Sequence, residues 1–342
     1  MNDARVLVVD DSAAMRALFS DVLDQAKNVQ VVGTAANANE ARDQIAALRP
    51  NVITLDVEMP GMSGIEFLEE IMNTNPLPVV MLSSLTQSGT EISLKAYELG
   101  AVECFPKPLK ATPEQFNKTV GKLGKIVLAA ANSNVKDRKK KAEVRAGESR
   151  FDWNGRIVAF SASMGGIEAL TELLAHYPAN CPATVITLQA APELVETFIK
   201  RLNADLKCAV RAMADGAVLE AGVVHIAADP EQHVVLEPGQ PPRLRLLARD
   251  PIEGTRPSAN LLFGTIARAA IPAVGAVLSG MGSDGAKGLK LMRDAGAHTF
   301  VQARASATVG ESPEAALGLN AAERELPIDE LAGAALACCN KS

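Results

Sequence analysis

Short apolar runs alternate with amphipathic stretches along most of this chain. Over the first 125 residues, the segments 5–9, 30–34, 52–55, 79–83 and 102–105 have the length and composition of buried strands. Between them, residues 13–25, 39–48, 65–73 and 91–99 carry apolar side chains at helical spacing. Five such β/α units predict an α/β domain with a doubly wound, five-stranded parallel sheet. In such a sheet the loops at the carboxyl ends of the strands form the crevice where chemistry belongs.

The alternation stops at about residue 126. The run KDRKKKAEVR (136–145) is basic, has few large apolar residues and reads as a solvated linker, so 126–150 is expected to join two domains. From 151 to 342 the pattern resumes. Strand-like runs lie at 157–160, 183–188, 209–213, 223–227, 234–237, 243–247, 273–278 and 299–301, and helical stretches at 167–174, 194–202, 259–270 and 286–294. This predicts a second α/β domain with a mainly parallel sheet. The short segments over 209–247, with turns at Pro230 and Pro238-Gly239, read as a β-hairpin insertion into it.

Composition narrows the function classes. The chain has 342 residues, 48% of them hydrophobic and 22% charged, enough for two ordinary cores. A net charge of −6 gives no electrostatic ground for nucleic-acid binding. No apolar run approaches the roughly 18 residues of a membrane span, so no membrane insertion is expected. The first residues open directly into a strand pattern, and the expected compartment is the cytoplasm. Of the five cysteines, Cys104, Cys181 and Cys208 read as reduced core thiols, while Cys338 and Cys339 are expected in a tail.

Candidate chemistry falls on the strand ends. Asp10 and Asp11 follow the first strand, Asp56 follows the third in LDVEMPGMSG, Ser83 and Ser84 close the fourth, and Lys107 follows the fifth. Three carboxylates in one crevice repel unless a cation joins them, and hard oxygen ligands with room for water suit Mg²⁺. A carboxylate beside Mg²⁺, a hydroxyl and a lysine can attack a phosphoryl group. VVDDS, LDVEMPGMSG, MLSS and PKP together resemble the response-regulator receiver domain. The resemblance implies phosphoryl transfer from a chemosensory histidine kinase to Asp56. It also implies metal binding by Asp10, Asp11, Asp56 and the Glu58 backbone carbonyl, a switch hydroxyl at Ser83 and a phosphate partner at Lys107. The usual aromatic switch position, three before the lysine, holds Cys104.

In the second domain, Ser163 lies in SASMGG, between a strand-like run and a helix, where its hydroxyl would be held exposed beside free helix N–H groups. Asp284 lies in the glycine-rich turn LSGMGSDGAKG, able to orient a base or cap a helix. With these segments the whole chain resembles the chemotaxis protein-glutamate methylesterase family. The resemblance implies hydrolysis of glutamyl methyl esters on methylated chemoreceptors, deamidation of receptor glutamines, and a receiver that blocks the site until it is phosphorylated. Ser163 matches the nucleophile, Asp284 the triad aspartate, and the backbone at Met164 and Met281 the oxyanion turn. No cofactor is implied for this domain. The chain departs from the family where Gln189 is followed by Ala190: the family has its catalytic histidine there. Ser161, Met164 and GESPEAA (310–316) are further departures. Loss of a triad base removes up to ~10⁶ in rate, and what remains over water is ~10³–10⁴. None of the four histidines reads as a substitute: His176 follows a helix, His298 opens a strand, His233 matches a family position outside the triad, and His225 sits within a strand. Two expectations follow. One is a phosphorylation-activated esterase and glutaminase; the other is a catalytically degenerate domain serving as a phosphorylation-controlled binding module or phosphate sink. A DNA-binding regulator is disfavoured by the absence of a recognition helix.

Overall fold

The computed structural model describes residues 2–83, 87–107, 113–135 and 151–341. The chain forms two compact units, Met1–Arg138 and Lys139–Ser342. The first contains β1 (Ala4–Val9), α1 (Ala13–Asp24), β2 (Val29–Ala35), α2 (Ala38–Leu48), β3 (Val52–Asp56), α3 (Gly64–Thr74), β4 (Val79–Ser83), α4 (Gln87–Leu99), β5 (Glu103–Pro106) and α5 (Pro113–Ala131). All strand pairs are parallel, in the order β2-β1-β3-β4-β5. Strands β3 and β4 are buried at every position, as a parallel sheet covered on both faces requires. Polar caps fix where the helices begin. Ser12 and Asn37 accept backbone N–H groups of α1 and α2, and Ser63 forms a reciprocal capping box with Glu66 on α3.

The expected boundary at 125 falls inside α5. The helix continues because Leu123, Val127 and Ala130 extend one buried stripe at helical spacing. The basic run 136–145 and Ser84 lie outside the described residues.

The second unit contains β6 (Ile157–Ala162), α6 (Gly166–Leu174), β7 (Thr184–Leu188), α7 (Pro192–Asp205), β8 (Ala209–Ala212), β9 (Val223–Ala227), β10 (His233–Glu237) and β11 (Arg243–Leu247). It continues with α8 (Ala259–Ala269), β12 (Ala273–Val277), α9 (Ala286–Asp294), β13 (His298–Gln302), α10 (Glu311–Gly318), β14 (Arg324–Leu326) and α11 (Ile328–Cys339). A seven-stranded parallel sheet runs β14-β13-β12-β6-β7-β9-β8. The chain enters at β6, builds to one side through β7, then returns to build the other side from β12. The crevice between β6 and β12 is therefore the topological switch point.

Two expectations are corrected here. Only β10 and β11 form the antiparallel hairpin; β8 and β9 belong to the main sheet. All five residues of β9 are buried, a demand that an exposed insertion could not meet. Cys338 and Cys339 are not in a tail. They close α11, which buries Leu331, Ala332, Ala335 and Cys339, and the Cys339 carbonyl accepts the Asn154 N–H at 2.9 Å.

Helix α8 gets no side-chain cap from its own N-cap residue, Ser258. The turn after β12 supplies one instead. Asp284 accepts the Ser258 hydroxyl at 2.8 Å and the N–H groups of Ala259 at 2.7 Å and Asn260 at 3.0 Å. Helices α8 and α9 also approach closely, with Asn260 Oδ1 accepting the N–H groups of Gly285 at 3.1 Å and Gly288 at 2.8 Å. Asp284→Ala is expected to destabilise this unit by about 2–3 kcal/mol, combining a lost cap with unpaired donors around the buried Ser258. Urea denaturation of the wild type and variant measures this loss.

Candidate functional sites

In the first unit, Asp10 follows β1, Asp56 ends β3 and Lys107 follows β5, so all three meet at the carboxyl edge. Lys107 Nζ lies 2.9 Å from Asp10 Oδ2 and 2.6 Å from Asp56 Oδ2. Asp10 and Asp56 are buried and Asp11 is exposed, and one oxygen of each can be chosen with all three within 4.8 Å of one another. The Glu58 N–H donates to Asp56 Oδ1 at 3.2 Å. Burial pushes the Asp56 carboxyl above its ordinary range, partly offset by Lys107. Burial would lower Lys107, but its bonds to Asp56 and Asp10 outweigh that and hold it above the usual lysine value.

This donor set fits a hard divalent cation. Asp10 Oδ2 meets the Lys107 ammonium, and a carboxylate oxygen has a second acceptor position, so acceptor capacity remains inside a cluster of like charges. Receiver domains generally bind Mg²⁺ in such a pocket. The Ser83 hydroxyl is buried and pairs with Ser93 Oγ of α4 at 3.3 Å; its backbone carbonyl accepts the Lys107 N–H at 2.8 Å.

In the second unit, three segments form one hydrogen-bonded knot at the switch point. The Ser163 N–H donates to the Ser279 carbonyl at 3.1 Å, Gly280 N–H to the Val309 carbonyl at 2.9 Å, and Ser312 N–H to the Gly280 carbonyl at 3.0 Å. Ser279 is the buried pin: its hydroxyl donates to the Met164 carbonyl at 2.8 Å and accepts the Val309 N–H at 3.0 Å. The knot brings the Met281 N–H to 2.9 Å from Ser163 Oγ. Gly165 sits in the left-handed region at φ 75°, where an added Cβ would stand 2.6 Å from both Ser279 Oγ and Thr308 Cβ. The turn that presents Ser163 therefore needs glycine on both conformational and steric grounds.

Ala190 lies two residues beyond Leu188, the register partner of Ala162, so it sits at the carboxyl edge of the strand next to the serine turn. Gln189 is anchored from both sides, its N–H donating to the Ala162 carbonyl at 3.0 Å and its side-chain amide to the Pro257 carbonyl. Asp284 caps α8 as described, and no hydrogen bond joins it to Ser163 among the described residues. It accepts three hydrogen bonds where a carboxylate offers about four acceptor positions, so capacity for one more donor remains.

The histidines are committed elsewhere. His225 is in register with Val185, and Val185 with Ala159, which places it three residues, about 10 Å along the strand, below Ala162 and two strands away. It is buried, its Nε2 is 3.3 Å from the Val218 carbonyl, and burial holds its pKa below the usual histidine value. His233 is buried, with Nδ1 accepting the Ser258 N–H at 3.1 Å and Nε2 donating to the Asp250 carbonyl at 3.0 Å. His298 opens β13, at the amino edge of the sheet, and lies 3.3 Å from Glu323. His176 follows α6, likewise remote from the carboxyl edge. Ser279 and Ser312 lie within LSGMGSDGAKG and GESPEAA, but the sequence did not single them out within those segments; the folded contacts do.

A family model described as CheB methylesterase matches residues 158–335, and a response regulator receiver domain model matches residues 6–120. The chain is 43% identical over 334 residues to the protein-glutamate methylesterase/protein-glutamine glutaminase 1 of Caulobacter vibrioides, covering 97% of this chain and 96% of that one. It is 44% identical over 331 residues to the protein-glutamate methylesterase/protein-glutamine glutaminase of Agrobacterium fabrum, covering 95% and 93% respectively. The crystal structure of the Thermotoga maritima CheB methylesterase catalytic domain matches 54% of this chain and 98% of its own at a TM-score of 0.51. At 23% identity that match is a likeness of fold. No described helix is long and apolar enough to cross a membrane. With these matches spanning both folded units, the chain belongs to the CheB methylesterase family and carries a response regulator receiver domain as its first unit.

Proposed function

We propose that this protein is a phosphorylation-controlled chemotaxis regulator that engages chemoreceptor helices through the Ser163 face, with hydrolytic turnover far below that of a complete serine triad. The receiver half works as follows. An Asp56 oxygen attacks the phosphorus of a phosphohistidine on a chemosensory kinase; the P–N bond breaks and an aspartyl phosphate forms. Lys107 offsets the added negative charge, and Ser83 leaves Ser93 to bond a phosphoryl oxygen. Mg²⁺ held by Asp10, Asp11, Asp56 and the Glu58 carbonyl would neutralise the phosphoryl oxygens.

The observation that carries the reading of the second half is Ala190. Attack by Ser163 on a glutamyl ester requires that its proton go to a base as the C–O bond forms. A methyl group accepts no proton, and the register of β7 and β9 keeps His225 out of reach. What supports retained recognition is the intact hydrogen-bonded knot, which holds the Met281 N–H beside the serine, donating to Ser163 Oγ at 2.9 Å. The second reading, an esterase and glutaminase with full turnover, is favoured by identity above 40% over nearly the whole length of enzymes that carry that name. Methanol release from a methylated receptor, measured with and without a small phosphodonor, separates the two. Release near background supports the first reading. Rapid, phosphodonor-stimulated release that disappears in Ser163→Ala establishes the second.

Ala190→His should raise methanol release by at least ~10²-fold, because a base alone contributes that much and Asp284 retains capacity for one more donor. Unchanged release would mean that Ser161, Met164 or the loop 310–316 has altered the site as well. In the receiver unit, Asp56→Asn should abolish labelling by a radioactive phosphodonor, and EDTA should do the same to the wild type until Mg²⁺ is restored.

A further inference from the structure

The receiver unit buries polar groups that phosphoryl transfer does not use. Ser83 closes β4, and its hydroxyl meets Ser93 Oγ of α4 at 3.3 Å. Four residues on, along the same face of that helix, Tyr97 reaches β5. Its hydroxyl donates to Glu103 Oε1 and accepts the Cys104 N–H at 3.1 Å. The same N–H donates to Glu103 Oε1 at 3.0 Å, and the Cys104 thiol donates to the Ser93 carbonyl at 3.7 Å. Ser83, Ser93 and Tyr97 are each at most 5% exposed, and Glu103 is half-buried beside them. Continuous contacts thus lead from the phosphorylation crevice, along one face of α4, to a carboxyl group at the start of β5. Register places Glu103 opposite Val80, three residues before Ser83 and about 10 Å along the strand.

A carboxyl in such a place is costly to ionise. Burial pushes Glu103 up to about 7, against the bonds from Tyr97 and Cys104, which favour the carboxylate. Burial also raises Tyr97 and Cys104, so both keep their protons. Among the described residues no cation pairs with Glu103. Its neighbour on β4 is the apolar Val80. Glu91, Lys95 and Glu98 of α4 are exposed, as are Lys122 and Lys125 of α5. The protonated form suits the closed packing, and the ionised form draws toward water. The contribution of Glu103 to stability is therefore full below the ordinary carboxyl range and lost as pH rises through about 7.

We propose that Tyr97, Glu103 and Cys104 form a proton-sensitive latch between α4 and β5, which opens when Ser83 leaves Ser93 for a phosphoryl group and then gives the Glu103 proton to water. This rests on the phosphoacceptor reading of Asp56 above. Position 104, where an aromatic switch is usual, holds cysteine here, and the aromatic ring at this wedge comes from α4 instead. Opening exposes the carboxyl, its proton affinity falls to the ordinary level, and the proton departs. By linkage, rising pH favours the phosphorylated state.

The test is binding of beryllofluoride, a stable phosphoryl mimic, with Mg²⁺ to the full chain in weakly buffered solution, with released protons counted by an indicator dye. At pH 7 the wild type should release about 0.5 proton more per chain than Glu103→Gln. Between pH 6 and pH 8 its affinity should rise ~10-fold more than that of the variant. Ser93→Ala should still bind beryllofluoride, with its proton release reduced to the Glu103→Gln level. Tyr97→Phe removes a bond that favours the carboxylate, so the midpoint of the affinity rise should move to higher pH. That shift keeps the idea testable if Glu103→Gln does not fold, and an unmoved midpoint counts against it. Equal proton release and equal pH dependence in wild type and Glu103→Gln would overturn the latch while leaving the phosphoacceptor reading standing. Undiminished release in Ser93→Ala would overturn the coupling through α4. No binding of beryllofluoride at all would overturn both readings.

Discussion

Both units depend on one topological constraint. A parallel sheet that starts at a central strand and builds to both sides must, at one place, send neighbouring loops in opposite directions. In the first unit that place lies between β1 and β3, and in the second between β6 and β12. Nothing in the backbone fills the gap, so side chains at the strand ends face one another across it. Asp10 and Asp56 meet there in one unit, and Ser163 and the Met281 N–H in the other. The strands below are buried on both faces, so these ends stand on rigid supports.

The two crevices differ in how they handle charge. In the receiver unit, like charges are forced together and balanced by Lys107, an arrangement that stores electrostatic strain for a cation to relieve. In the second unit no hydrogen bond joins a cation to the serine among the described residues. Its framework is made of neutral hydrogen bonds centred on the buried Ser279, which ties the turns after β6 and β12 to the loop before α10. Such a framework holds its shape whether or not a base stands beside it.

The receiver was legible because its candidate residues lie at the ends of four of the five strands, each preceded by a strongly apolar run. Ser163 and Asp284 stood out in the sequence because each follows an apolar run in a glycine-containing turn. Other elements left weaker traces. Helix α11 packs largely through alanines and a cysteine, so its buried and exposed faces differ little in hydrophobicity. Helix α10 has a proline in its first turn and is short, and β14 spans three residues at a sheet edge. The hairpin was overextended because β8 and β9 are as short as true hairpin strands, and only long-range pairing shows that they belong to the main sheet.

The attachment of Asp284 to α8 bears on how such chains are classified. An aspartate that holds a helix start by three hydrogen bonds is kept for folding, whatever becomes of turnover. Selection against unfolding would preserve it in a pseudoenzyme as faithfully as in an enzyme. The presence of Asp284 is therefore a poor gauge of catalysis, because its hydrogen bonds to α8 account for it alone.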